Sequence, residues 1–417
     1  MKSIKEFDYP KILQNIFDKL KNNEIRAIIV GGYIRDFFLN IQSKDIDIEL
    51  YGVDSFEALE KILQEFGEVN SVGKSFGVCK LSLKEFEIDF TLPRTDSKIS
   101  TGHKGFEVTL EKNLDFTTAT SRRDFTINAI GFDTKAKIIL DPFHGIGDIK
   151  NKILKAVNIQ TFGEDPLRVL RAAQFHSRLH FNIDKELSLL CKKMCDENIL
   201  SELAPQRVYG EIQKIVLKST QPSLGFSFLK EINALQYLAP LDSLSTKDFN
   251  DILNALDKVV SLKTNNNKTN TLLMLSILCY KFDEEKAVLF LSNLSNEKSL
   301  IKNILALKKN SFSLSYTDSE LFALAVDVNI EQFLVYSYAI HNLDKKIFDT
   351  LNSRAKELDI LNTKAKAFLQ GRDILKYGIK PSVEFSTILN KAYEAQISLE
   401  IQSYEEAIVW LENYLRA

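Results

Sequence analysis

Excess basic charge is the first thing this chain lacks. Its 417 residues carry 54 Lys and Arg against 56 Asp and Glu, a net charge of −2, so no global cationic footprint marks a nucleic-acid binder. Any basic face must be local: residues 151–240 carry 12 Lys/Arg against 9 Asp/Glu, whereas residues 1–150 carry 21 against 24. Cysteine is scarce too. Cys79, Cys191, Cys195 and Cys279 show no paired framework, which suits a reducing cytosol. No apolar run approaches a membrane span, and the opening MKSIKEFDYPKI has no apolar core of signal-peptide length, so a cytoplasmic protein is expected. Glycine runs out part-way: 12 of the 16 lie before residue 164. That distribution predicts a turn-rich α/β head followed by helices, in a chain long enough for two or three domains.

The head is organised around Ile28–Leu50, IIVGGYIRDFFLNIQSKDIDIEL. Ala27–Val30 reads as a short buried strand closed by Gly31-Gly32. Ile34, Phe37, Phe38 and Ile41 follow at helical spacing, with Arg35 and Asp36 pointing elsewhere. Asp45-Ile-Asp-Ile-Glu-Leu then alternates, which in a strand puts Asp45, Asp47 and Glu49 on one face. Two carboxylates two residues apart on a rigid strand can share divalent metal, because hard cations want several oxygen ligands at short range. The Gly-Gly turn lets backbone N–H groups approach an anion, and the next helix aims its positive end the same way. Metal and phosphate together point to a nucleoside triphosphate site. The bland reading is an exposed acidic strand beside an ordinary turn.

Residues 4–22 read as an amphipathic lead-in helix, and Asp54 with Glu57 as a capping box for a helix through Phe66. Val78–Leu83 and Phe86–Leu92 alternate as strands. Asp89 could join Asp45 and Asp47 if its strand is their neighbour, though a solvated face explains it equally well. Residues 94–118 are polar with little periodicity and read as a mobile loop. Arg122-Arg123-Asp124 then leads into a helix; paired arginines suit phosphate or ribose, but are also common on ordinary surfaces. Asp141-Pro-Phe-His-Gly-Ile-Gly-Asp closes the head as a turn cluster after the strand Lys137–Leu140.

At Gly163-Glu-Asp-Pro-Leu-Arg the character changes. Asp165 is a good helix cap and Pro166 fits the first helical position. Arg168, Arg171 and Arg178 recur as one stripe, either a charged surface or, for Asp165 and Arg168, groups that bond a base edge. Helical periodicity continues to the end, interrupted by Pro205, Pro222, Pro240 and the polar stretch Leu262–Asn270. His176/His180 and Cys191/Cys195 could be written as a zinc site, but the separation matches no standard finger and packing is the expectation.

GGYIRD with KDIDIE, RRDFTINA, DPFHGIGD and EDPLRVLRAAQF, in that order from Ile28 to His180, resemble the class II CCA-adding tRNA nucleotidyltransferase and bacterial poly(A) polymerase family. Weaker likeness continues through Leu203–Pro240 and Leu369–Ser382. The resemblance implies an α/β nucleotidyltransferase palm head over residues 1–150, a helical neck and start of the body over 151–240, and an all-α body and tail over 241–417 that bind tRNA. It implies transfer of C, C and A from CTP and ATP to the tRNA 3′ end, with release of pyrophosphate. Asp45 and Asp47 would hold Mg²⁺, and Asp89 matches a position where some members carry a third acidic residue. Gly31, Gly32 and Arg35 would bind triphosphate, and Arg122, Asp124 and Asn128 the sugar and phosphates, with Arg123 and Arg171 beside them. Asp165 and Arg168 would template the base. Cytosine and adenine both display an amino donor beside a ring-nitrogen acceptor, which a carboxylate and a guanidinium can read; uracil and guanine do not.

Longer members append a phosphohydrolase domain with a His-Asp pair. The comparable TLLMLSILCYKFDEEK has none, so no phosphohydrolase activity is expected. Within the family, CC-only addition, A-only addition and poly(A) synthesis compete with full CCA addition. Outside it, a metal-dependent glycosyltransferase would share the Asp-x-Asp but leave the Arg-Arg-Asp and Glu-Asp-Pro-x-x-Arg elements unexplained. A non-catalytic RNA-binding module would leave the crowded carboxylates without a purpose.

Overall fold

Val30 and Asp47 pair across the two central strands of one sheet, and the N-terminal part of the molecule is arranged around them. A computed structural model of the chain describes residues 7–70, 77–84, 86–98 and 106–416, with the backbone alone described at 95–98, 106–108 and 110. The chain divides into two compact units, Met1–Tyr237 and Leu238–Ala417.

The first unit opens with helix α1 (Ile12–Asn22), then β1 (Arg26–Val30), α2 (Gly32–Phe38), β2 (Asp45–Tyr51) and α3 (Phe56–Gln64). Strands β3 (Glu68–Asn70), β4 (Val78–Ser82), β5 (Glu87–Thr91), β6 (Arg94–Lys98) and β7 (Phe106–Leu110) precede α4 (Phe116–Ser121). Strands β8 (Gly131–Asp133) and β9 (Ile138–Leu140) and helix α5 (Gly145–Asn151) complete the head. Seven strands form one mixed sheet in the order β3-β4-β5-β2-β1-β8-β9, in which only β2 and β5 run parallel.

Register decides which side chains share a face. Arg26 pairs with Tyr51, Ile28 with Glu49 and Val30 with Asp47, and Asp47 pairs in turn with Asp89, which pairs with Lys80. Directly paired residues point the same way, so all of these lie on one face. Helix α4 covers that face at the Tyr51 end, where Phe116 and Ala119 pack on Ile28, Val30 and Tyr51. Burial therefore rises along β2: Asp45 is exposed, Asp47 half-buried, Glu49 and Tyr51 buried. The opposite face of Ile29, Ile46, Ile48 and Leu50 is sealed, each side chain worth about 1.5–3 kcal/mol of burial.

Beyond the head, α6 (Leu167–Leu179), α7 (Lys185–Asp196), α8 (Pro205–Lys218) and α9 (Pro222–Glu231) carry the chain to the end of the first unit. The second unit is built from α10 (Thr246–Lys258), α11 (Asn267–Leu278), α12 (Glu284–Leu294), α13 (Lys298–Lys309), α14 (Asp318–Asp327) and α15 (Ile330–Ile340). It ends with α16 (Lys345–Glu357), α17 (Gly371–Leu375), α18 (Val383–Ile397) and α19 (Tyr404–Arg416). Helix α11 is buried from Asn270 to Leu278, and the Lys308 ammonium donates to the carbonyls of Cys279, Tyr280 and Phe282 that follow it. Ile374, Ile388, Ile401 and Leu411 form a separate core under α17–α19. Among the described residues no helix is long and apolar enough to cross a membrane.

Several local expectations need correction. The lead-in helix starts at Ile12, after Pro10; the expected residues 4–6 lie outside the described part. Helix α3 is capped by the Ser55 hydroxyl, which accepts from Ala58 N–H at 3.1 Å, while Asp54 pairs with Lys112 at 2.6 Å. The helix begins one residue later than a cap at Asp54 requires, and it ends at Gln64. The loop expected over 94–118 contains the β6–β7 hairpin, in register from Arg94↔Leu110 to Lys98↔Phe106, and then α4; residues 99–105 lie outside the described part. A ribbon as polar as Arg-Thr-Asp-Ser-Lys has no apolar alternation by which a strand can be recognised. Only a 3₁₀ turn, Thr126–Asn128, follows the paired arginines. The cluster read as a turn continues into α5, where Gly145 is needed because a Cβ there would lie 2.2 Å from the Thr126 carbonyl oxygen. Pro166 sits one residue before the first helical position of α6, while Pro205 and Pro222 begin helices. The polar stretch at 262–270 is already helical from Asn267, capped by Asn266.

Candidate active site

The turn between β1 and α2 fixes the site. Gly31 has φ +72°, a left-handed conformation that glycine adopts without a Cβ penalty. A Cβ there would also lie 3.0 Å from an Arg123 guanidinium nitrogen and 3.5 Å from Asp47 Oδ2. The bare backbone thus lets Arg123 lie over the turn, beside the acidic strand.

A cavity of about 700 Å³ opens at this point. It is lined by Gly31, Gly32, Arg35, Asp45, Asp47, Asp89, Arg123, Asp124, Asn128 and Arg171, which brings most of the expected site residues together. Burial raises the Asp47 carboxyl above its ordinary value; Arg123 draws it down, and the Asp89 and Asp45 carboxylates push it up again. Asp89 forms an ion pair with Lys80 at 3.1 Å. Among the described residues no three His, Cys, Asp or Glu side chains are grouped to hold a metal by themselves. Asp45 and Asp47 nevertheless suit Mg²⁺, which usually takes one or two carboxylates and completes its shell with water and substrate phosphates. Their crowding with Asp89 favours a cation.

Much of the remaining lining is a buried chain of charged bonds. Arg35 is buried; its Nε donates to Asp36 Oδ1 at 2.8 Å and an NH1 to Asn128 Oδ1 at 2.6 Å. Asn128 donates to Asp124 at 3.0 Å, and Asp124 accepts from Arg171. On the other flank Arg178 reaches Asp36 at 3.6 Å. The Arg35 and Arg171 guanidiniums both lie over the Phe175 ring, at 5.1 and 5.4 Å from its centroid. Helix α6 is thereby tied to α2 and to the turn at 124–128. Asp36, Lys80, Gln174, Phe175, Lys214 and Lys218 also line the cavity and were not singled out from sequence as site residues. Lys214 and Lys218, four apart on α8, carried a readable signal; Phe175 looked like any apolar helix position.

Three expected residues do not line the cavity. Arg122 points a guanidinium nitrogen to Glu49 at 3.7 Å. Arg168 donates to the carbonyls of Arg122 (2.6 Å) and Thr161 (3.1 Å). Asp165 accepts from Leu167 N–H at 3.2 Å, and Arg207 lies 3.3 Å from both its oxygens. Glu49, on the face of β2 that carries Asp45 and Asp47, is fully buried. His176 bonds the Phe181 carbonyl and His180 the Thr220 hydroxyl, while Cys191 and Cys195 are buried, so these four side chains form no metal site.

A nucleotidyltransferase head accounts for this sheet, turn and acidic strand: residues 27–155 match the family model described as poly A polymerase head domain. The CCA-adding enzyme of Francisella tularensis subsp. tularensis is 30% identical over 348 residues, covering 81% of this chain and 88% of that protein. A second relative, the CCA-adding enzyme of Buchnera aphidicola, is 40% identical over 220 residues, covering 52% and 50%. The chain belongs to the class II CCA-adding enzyme and poly(A) polymerase head family. Its fold is that of the Bacillus stearothermophilus CCA-adding enzyme in complex with CTP, with a TM-score of 0.76 at 21% identity over 98% of both chains. The Thermotoga maritima enzyme complexed with tRNA gives 0.65 at 21% identity, covering 99% and 97%.

Proposed function

We propose that this protein adds C, C and A to the 3′ end of tRNA from CTP and ATP, releasing pyrophosphate. Membership of the CCA-adding family supports the reaction, and the in-register pair Asp47↔Asp89 in the lining of the cavity is the observation that carries the site. Asp45 and Asp47 hold Mg²⁺, with Asp89 adding negative potential from the adjoining strand. The chemistry supplied by bound Mg²⁺ is activation of the tRNA 3′-hydroxyl and neutralisation of charge on the leaving pyrophosphate. The Gly31-Gly32 backbone, Arg35 and Arg123 receive the triphosphate. Asp124, Asn128 and Arg171 fix the position of Arg35 and the sugar end. Asp165 and Arg168 select the base after exchanging their present partners, Arg207 and the Arg122 carbonyl, for its edge.

In domain terms, residues 1–150 are the catalytic head and residues 151–240 the neck and start of the body, which select the nucleotide. Residues 241–417 are the body and tail, which hold tRNA. The deciding assay supplies labelled CTP and ATP to tRNA lacking its 3′ end. Three nucleotides followed by arrest are expected. Arrest after two, a single A, or long tails from ATP alone would instead establish CC addition, A addition or poly(A) synthesis.

A further inference from the structure

Glu49 is a buried titratable group for which the reading above has no task. It lies two residues beyond Asp47 on the same face of β2, with 0% exposure. One carboxylate oxygen accepts from the Tyr51 hydroxyl. The other makes no hydrogen bond, yet a guanidinium nitrogen of Arg122 and one of Arg123 each lie 3.7 Å from it. A buried carboxylate in such a place is costly unless its charge is matched, and here two cations match it.

The geometry of Arg123 gives that match a consequence. One of its terminal nitrogens lies toward Glu49, while the other lies over the Gly31 turn. Asp47 Oδ2 borders the same point above Gly31, so a small swing would bring Arg123 onto Asp47. An arginine paired with Asp47 would compete with a metal for the same oxygens.

Resting on the reading of Asp45 and Asp47 as metal ligands, we propose that Glu49 is a positioning residue that holds Arg123 back from Asp47 and so keeps the carboxylate available to a divalent cation. The same anchor aims the free side of Arg123 at the triphosphate path. Tyr51 in turn fixes Glu49, and the Arg122 carbonyl passes the constraint to Arg168 at 2.6 Å.

The test is Mn²⁺ binding to the full chain without nucleotide, followed by electron paramagnetic resonance, with CTP addition measured in parallel. Glu49→Gln keeps the shape of the side chain and its acceptor for Tyr51 but removes the charge. It is expected to weaken Mn²⁺ binding about tenfold and to raise the metal concentration needed for half-maximal addition by a similar factor. Adding Arg123→Ala to Glu49→Gln is expected to restore Mn²⁺ binding, although addition stays poor because the triphosphate loses a contact. General damage to the fold would not be rescued by a second truncation. Should Glu49→Gln not fold, Glu49→Asp withdraws the charge by one methylene and is expected to give a smaller loss with the same rescue. Equal Mn²⁺ affinity in wild type and the folded Glu49 variant, or a loss that Arg123→Ala does not reverse, overturns the proposal. If Asp47→Asn binds Mn²⁺ as wild type does, the metal site itself is misassigned and the proposal falls with it.

Discussion

Arg171 closes two nitrogens on one oxygen of Asp124, Nε at 2.7 Å and a terminal nitrogen at 2.6 Å. The two residues come from different elements, helix α6 and the turn after α4. Both were expected to meet nucleotide, and in the structure they meet each other. The pair is therefore structural before it is functional: it sets the position of α6 against the head, and with it the stripe that faces the cavity.

Burial would raise the Asp124 carboxyl, but Arg171, the Asn128 amide and the Phe125 N–H together hold it below the usual carboxylate value. A depressed folded-state value means the stabilisation is present above the unfolded carboxylate value of about 3.9 and is lost as pH falls through the folded value. Thermal midpoints measured from pH 7 down to pH 3 should fall in that acid window, and Asp124→Asn should flatten the fall. At pH 7 the substitution should cost about 2 kcal/mol, below the ~3–5 kcal/mol of a wholly buried pair, because the Arg171 side chain keeps 30% exposure. An unchanged acid slope in Asp124→Asn would show that the pair contributes no linkage.

The β1–turn–α2–β2 element was legible from sequence because each part obeys a strong local rule: an apolar run, a double glycine, a 3.6 period and then a 2.0 period. The order of the sheet was not. No local signal announces that β5 inserts beside β2 in parallel, and only that placement puts Asp89 opposite Asp47. Glu49 shows the same limit from another side. Alternation gave its face correctly, but its burial comes from α4, which packs over the Tyr51 end of that face. The partners of Arg168 were invisible for a similar reason, since a backbone carbonyl as an acceptor leaves no mark in the sequence, and Arg207 reaches Asp165 from 42 residues away, beyond any local pattern.

Gly31→Ala tests the turn directly. At φ +72° and ψ −129° the backbone lies outside the left-handed helical well and costs an alanine about 1–3 kcal/mol, and the new methyl would press on Arg123 from 3.0 Å. The variant should remain folded, with a small drop in chemical-denaturation midpoint. Its KM for CTP and ATP should rise together, because the triphosphate is common to both. A rise for one nucleotide alone would place the turn at the base instead.

Asp45→Ala and Asp47→Ala should each abolish nucleotide incorporation at saturating Mg²⁺ while leaving tRNA affinity within about twofold, since neither side chain belongs to a basic surface. Filter binding with tRNA and the addition assay on the same preparations separate the two effects. Full residual activity in either variant would remove that residue from the metal site. Chelation of divalent cations should reproduce the loss in the wild type and be reversed by added Mg²⁺.

Base choice should be separable from chemistry. Asp165 shares Arg207, and Arg168 is spent on two backbone carbonyls, so both must change partners before a base can be read. Asp165→Ala should therefore loosen discrimination more than it slows addition: a mispaired buried polar group is worth about 1–3 kcal/mol, so the preference for CTP over UTP should fall by roughly tenfold to a hundredfold. Arg207→Ala frees Asp165 from its present partner and should leave that preference intact or sharpen it. Arg168→Ala should both lower discrimination and weaken the structure around Arg122, because the lost guanidinium also held that carbonyl. Measuring kcat/KM for all four triphosphates in the three variants distinguishes these outcomes. If UTP and GTP remain rejected in Asp165→Ala as in the wild type, selection of the base lies elsewhere in the cavity.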